Sequence, residues 1–231
     1  IRAGWLSQLI GGAMGTMVEG YTSKNLFNEW IGAQMRGAVC GQIYPGDLYH
    51  AAEAAFMDAS ISHYHNGILG EVFNALMVSL SYVESDIRKI LETCIPLIPE
   101  DSEYGQVIRF AYESCKTHED YYSAWLPCEE KFVKYNWIHA YPNACAEIVA
   151  LYFGEGDFNK TITNIGGCGQ DVDCNAAQIM TIVGTIIGED NIPEYWKKPF
   201  GDHLDTYVRD YKSSSITDLT KLTAKVARLL K

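Results

Sequence analysis

The chain has 231 residues, 48% of them hydrophobic and 20% charged, with a formal net charge of −11; that is enough apolar material for the core of one soluble domain spanning residues 1–231. The acidic balance argues against nucleic acid or an anionic membrane as the main partner, because both need clustered Lys and Arg. No uninterrupted apolar stretch reaches membrane-spanning length, and the first residues are not those of a secretory leader. The chain opens on Ile1 rather than Met, so a preceding segment is expected.

Apolar residues at helical spacing recur from end to end. Trp5, Leu6, Leu9, Ile10 and Met14 form a first stripe that ends in a glycine-rich stretch at residues 11–20, closed by Glu19 and Gly20. Those glycines permit close approach of a partner helix or a substrate beside Glu19; a tight helix pair with a surface Glu explains them equally. Residues 32–37 (Gly-Ala-Gln-Met-Arg-Gly) space their glycines so that backbone N–H groups could meet an anion, while Arg36 could instead pair with a carboxylate. Asp47 is placed to cap a helix carrying Ala51, Ala52, Ala55 and Phe56. Residues 58–67 then gather Ser62, His63, His65 and Asn66 in one connector, which reads as a functional loop or as an ordinary polar turn. No further ligand at zinc spacing accompanies the two histidines.

The next stripe runs through Ile68, Val72, Phe73, Leu76, Met77 and Leu80. A helix starting at Ser85 and Asp86 stops at Cys94, Ile95 and Pro96, and Val107, Ile108, Ala111 and Cys115 mark another before a run rich in Tyr and Trp. Residues 137–143 join two helices with aromatic rings, His139 and Asn143. Aromatic faces there suit a purine base or core packing. Pro142 falls in the first turn of the helix bearing Ala146, Val149, Ala150 and Tyr152.

Residues 166–177 (Gly-Gly-Cys-Gly-Gln-Asp-Val-Asp-Cys-Asn-Ala-Ala) carry the densest chemistry. Asp171 and Asp173 sit where a glycine loop enters an apolar helix through Ile179, Ile182, Val183, Ile186 and Ile187. On a regular helix, carboxylates two apart diverge. On the irregular turn before one they can converge on a hard cation such as Mg²⁺. A plain N-cap is the competing reading. Leu219, Leu222, Val226 and Leu229 close the chain with an amphipathic helix. No segment shows strand alternation, so the expected class is all-α, an orthogonal multi-helix bundle. Seven cysteines without metal spacing, mostly on apolar helical faces, read as buried free thiols in a reducing compartment, the cytoplasm.

Taken in order, these blocks resemble the ADP-ribosylglycohydrolase family, of the dinitrogenase-reductase-activating glycohydrolase type. The resemblance runs over most of residues 1–188 and does not cover residues 189–231. It implies an all-helical domain with two Mg²⁺ ions (Mn²⁺ in some members) and an ADP-ribose cleft. It also implies hydrolysis of the glycosidic bond between ADP-ribose and an acceptor; the alternative is a module that binds ADP-ribose without turnover. By position, Asp171, which is also a catalytic candidate, and Asp173 would be metal ligands. Cys174 stands where the family usually has a ligating Thr and is a poor donor to Mg²⁺. Glu19 would face the scissile bond. Gly32, Ser62, His63, Asn66 and Gly67 would line the diphosphate and ribose region, with His139 and Asn143 nearby. The family's second acidic block, of the Asn-Asp-Asp-Thr kind, has no counterpart between Glu19 and Gly32. Either a segment is deleted there, or residues near Leu26 and Phe27 are missing from the sequence; the abrupt joint favours the latter.

Overall fold

The computed structural model describes residues 26–230; Glu19 and the glycine-rich opening lie outside them. After two short 3-10 turns, Leu26–Glu29 and Gln34–Arg36, the described residues build eleven α-helices. They are α1 (Ala38–Ile43), α2 (Leu48–Ala59), α3 (Asn66–Leu80), α4 (Ile87–Cys94), α5 (Glu103–Thr117), α6 (Tyr121–Phe132), α7 (Ala140–Gly154), α8 (Phe158–Cys168), α9 (Val172–Ile187), α10 (Glu194–Lys197) and α11 (Ile216–Leu229). The all-α reading holds, with one correction. Two three-residue strands, β1 (His203–Asp205) and β2 (Ser213–Ser215), pair antiparallel. They are too short and too exposed to show the alternation by which a strand is recognised. Among the described residues, no helix is long and apolar enough to cross a membrane.

Helix ends follow local chemistry. Asp47 caps α2 by accepting from the His50 amide, and Asp86 caps α4 by accepting from Arg88 and Lys89. Pro142 lies in the first turn of α7, as its missing N–H allows. Helix α6 was hidden in the aromatic run. It starts with a capping box at Asp120 and Ser123 and tolerates Pro127 in its interior. Packing against α7 and α8 supplies what local propensity lacks.

The centre of the molecule is α7. It is buried at every residue from Ala140 to Leu151, with α5, α6, α8 and α9 around it. Six of the seven cysteines are buried free thiols and Cys174 is half-buried, as their placement on apolar faces implied.

One buried carboxylate works against this fold at neutral pH. Glu71 on α3 is fully buried, and neither of its oxygens has a hydrogen-bond partner. Arg36 is 3.7 Å away but is already committed to Asp58 at 2.6 Å. Burial, then the close negative charge of Asp58, push the Glu71 carboxyl up to about 9. Between the ordinary carboxylate range and pH 9 the unfolded chain releases a proton that the fold retains. The contribution of Glu71 is therefore complete in mild acid and is lost as pH rises through that window. Glu71→Gln is expected to flatten the decline and to exceed the native protein in stability at pH 8 by roughly 2–3 kcal/mol. Urea unfolding at pH 5 and pH 8 measures it, and equal pH slopes in the two proteins would contradict the assignment.

Candidate functional site

The turn that presents the acidic pair is shorter than the glycine count suggested. Gly166 and Gly167 belong to the last turn of α8, leaving residues 169–171 to connect it to α9. Gly169 (φ +71°, ψ −142°) and Gln170 (φ +68°) both take left-handed backbone; the Gly169 combination is open only to glycine. The chain thereby reverses within three residues and places Asp171 at the N-cap position of α9.

Asp171 does not act as a cap. Its carboxylate accepts no backbone N–H of α9, although the residue is only 7% exposed. Ligand atoms from Asp171, Asp173 and Cys174 lie within 4.8 Å of one another. Burial, then a hydrogen bond and charge from Asp173, raise the Asp171 carboxyl above its usual range. Two acidic groups held this close, with no cation between them among the described residues, are a donor set suited to a divalent ion. Cys174 fits less well. Burial, then the Asp171 carboxylate, pushes its thiol up to about 12, and its Sγ sits 3.2 Å from Sδ of Met35. A protonated thiol facing a thioether offers Mg²⁺ little.

The turn is held in place from α7. Asn143 donates both amide hydrogens to carbonyl oxygens, those of Trp137 and His139, each at 2.8 Å. Its Oδ1 then accepts the Asp171 backbone N–H at 3.0 Å and the Asn175 side-chain amide at 2.7 Å. Asn143, expected as a substrate-binding residue, is fully buried, and its amide is fully used in this brace. His139 caps α7 by accepting from the Tyr141 amide at 3.3 Å, and its Nε2 stands 3.7 Å from Glu29.

The second group of expected residues also serves the scaffold. His63 is buried, and its Nε2 accepts the Ala33 N–H at 3.1 Å. Its Nδ1 therefore carries the proton and donates to Ser62 Oγ at 2.8 Å. Burial, then the charge of Arg36, lowers the imidazole to about 4, so it is neutral near pH 7. With both nitrogens engaged, His63 cannot deprotonate Ser62, and a serine nucleophile is excluded here. Arg36 binds Asp58, the Gly32 carbonyl and Ser62 Oγ, the carboxylate pairing that the sequence left open. The amides of Ala33, Met35, Arg36 and Gly37 are all taken internally, so this segment offers an anion far fewer N–H groups than its glycines suggested. Asn66 donates to Glu29 at 2.7 Å and accepts the Tyr104 amide at 2.9 Å. Gly67 is required because a Cβ there would lie 2.1 Å from the Asn28 carbonyl oxygen.

Two features escape a reading by motif. Glu29 gathers Asn66, His139 and Tyr141 about its carboxylate. Burial opposes its charge, but hydrogen bonds from His139 and Asn66, with the charge of His139, outweigh it and hold Glu29 below the usual range. Glu147 is 1% exposed on α7 and takes one hydrogen bond, from Gln34 Nε2 at 3.0 Å; burial pushes its carboxyl far up. The signal was a single acid inside an otherwise apolar run from Ala144 to Leu151.

A family model described as ADP-ribosylglycohydrolase matches residues 23–228 of the chain. No curated protein and no solved structure matches it.

Proposed function

The chain belongs to the ADP-ribosylglycohydrolase family, and on that premise we propose that it hydrolyses the glycosidic bond joining ADP-ribose to an acceptor, in a reaction dependent on Mg²⁺ or Mn²⁺. The observation that carries this reading is the Asp171 carboxylate, released from capping and held against Asp173 at a buried helix mouth. Asp171 and Asp173 would hold the ion; two ions are expected, the second by resemblance alone. A divalent ion there supplies positive charge that orients ribose hydroxyls and water and stabilises the charge developing at the scissile centre.

The chain's own groups divide the remaining work. Asn143 fixes the turn so that both carboxylates face one point. Ser62 accepts from His63 and Arg36, so its own hydroxyl hydrogen is free to donate to a diphosphate or ribose oxygen. Glu19 is assigned the proton transfer at the scissile oxygen or the attacking water. It lies outside the described residues, and its role rests on resemblance.

Protein stripped with EDTA should release no ADP-ribose from an ADP-ribosylated protein, and Mg²⁺ or Mn²⁺ should restore release. Turnover that survives stripping would overturn the reading. A non-catalytic ADP-ribose module is favoured by one observation, the lack of an acidic pair between Glu19 and Gly32 in the sequence. Calorimetric binding of ADP-ribose with no release at any metal concentration would establish it.

A further inference from the structure

The mouth of α9 carries sulfur as well as oxygen. Asp171, Asp173 and Cys174 stand at the N-cap, second and third positions of the helix, so Asp171 and Cys174, three apart, share one face of its first turn. One ligand atom from each of the three lies within 4.8 Å of the other two. A tetrahedral Zn²⁺ holds its oxygen and sulfur donors about 3.5 Å apart, so a side-chain shift of about 1 Å seats all three. The Asp171 carboxylate is 7% exposed and receives no backbone N–H, and the groups that act on it are Asp173 and Cys174. A second sulfur borders the cluster. Met35, exposed on the 3-10 turn Gln34–Arg36, accepts the Cys174 thiol with its Sδ at 3.2 Å.

These donors divide by softness. Carboxylate oxygen suits Mg²⁺ and Mn²⁺, whereas thiolate sulfur selects Zn²⁺ and, by the same softness, Cd²⁺. Cys174 enters such a shell with loss of its proton, which passes to solvent, because a thiol that coordinates zinc is deprotonated outright. Two carboxylates and one thiolate leave a fourth position to water, as at open zinc sites. Threonine in place of Cys174 would offer a hard oxygen and no sulfur. Zn²⁺ binds most sites more tightly than Mn²⁺ whatever their donors, so the sulfur bond itself is the distinguishing mark. Cys174 is the one cysteine of the seven that is not buried, so a sulfur–metal signal reports on it alone.

We propose that Cys174 makes the acidic turn a mixed oxygen–sulfur centre, in which Asp171, Asp173 and the Cys174 thiolate hold a thiophilic divalent ion, Zn²⁺, ahead of Mg²⁺. The inference rests on the metal site of the glycohydrolase reading but not on its reaction. Protein stripped with EDTA, then freed of it, is titrated with Cd²⁺ in thiol-free buffer while the thiolate-to-metal charge-transfer band in the ultraviolet is followed. The band should rise and saturate at one equivalent. Cys174→Thr should abolish it and weaken Cd²⁺ binding by at least about 100-fold, the upper end of what losing a residue merely bonded to a ligand costs. The same variant should not weaken Mn²⁺ binding, read by electron paramagnetic resonance. A native protein without the band, or a band that persists in Cys174→Thr, would overturn the proposal. Should the variant fail to fold, crystals of the native protein soaked in Zn²⁺ decide the matter. An anomalous peak bonded to Cys174 Sγ and to both carboxylates supports the centre; a peak bonded to oxygen alone, or none, refutes it. Release of ADP-ribose with Mn²⁺ by a protein that shows no band leaves the hydrolase reading standing and removes this one. A band from protein that releases none with any divalent ion does the reverse.

Discussion

Asp171→Asn is expected to abolish divalent-dependent release of ADP-ribose, lowering turnover by on the order of 10³-fold or more, while leaving the fold intact. The substitution is close to isosteric, and the backbone N–H that anchors the turn to Asn143 is retained. The side chain caps nothing, so no helix-initiating bond is lost. What disappears is one of two anionic oxygen donors, and with it the charge that makes the cluster selective for a divalent ion. Relief of the contact with Asp173 should if anything stabilise the metal-free protein, because burial and that neighbour already raise the Asp171 carboxyl. Asp173→Asn should reduce turnover in the same way. The expected pattern is therefore a dead enzyme with an unchanged or higher melting temperature. If both variants turn over normally, the acidic pair is not the metal centre. If Asp171→Asn unfolds the chain, the carboxylate is structural.

Asn143→Ala carries the second large effect, and it falls on stability and turnover together. Removal of the side chain strands the Asp171 amide, the Asn175 side chain and two carbonyl oxygens that share one buried amide group. Each unmet buried group costs about 1–3 kcal/mol, and partial relaxation brings the expected total to about 3 kcal/mol. The Asp171 carboxylate then loses its fixed bearing, and a displacement of about 1 Å lowers turnover by roughly 100-fold. Asn175→Ala breaks a single one of these bonds and should show a much smaller loss of both quantities. Chemical denaturation with steady-state kinetics separates this account from substrate contact. A raised KM with native kcat and native stability would return Asn143 to the substrate-binding role read from its sequence position.

Legibility in the sequence followed the range of the interactions involved. The caps at Asp47 and Asp86 and the first-turn Pro142 are local bonds, written within three residues of where they act. Buried thiols were equally plain, because a cysteine on an apolar face has few other places to go. Helix α6 was not legible, since Pro127 and the aromatic run contradict helix propensity and only packing against α7 and α8 overrides them. The acidic turn was half legible. Asp171 and Asp173 stand out as residue types, but the bond that anchors the Asp171 backbone comes from Asn143, 28 residues away. Glu147 and Gln34 meet across 113 residues, and His63 spends its Nε2 on the Ala33 amide across 30. Nothing in either local sequence announces those pairings. Such long-range bonds place Asn143 under the acidic turn and His63 against the Ala33 amide.

The most direct test is a crystal of the native protein grown with Mn²⁺, examined for anomalous scattering at the mouth of α9. The account predicts a strong peak bonded to carboxylate oxygens of both Asp171 and Asp173, with oxygen rather than Cys174 sulfur completing the shell. Ordered side chains of both residues with no peak between them would contradict it.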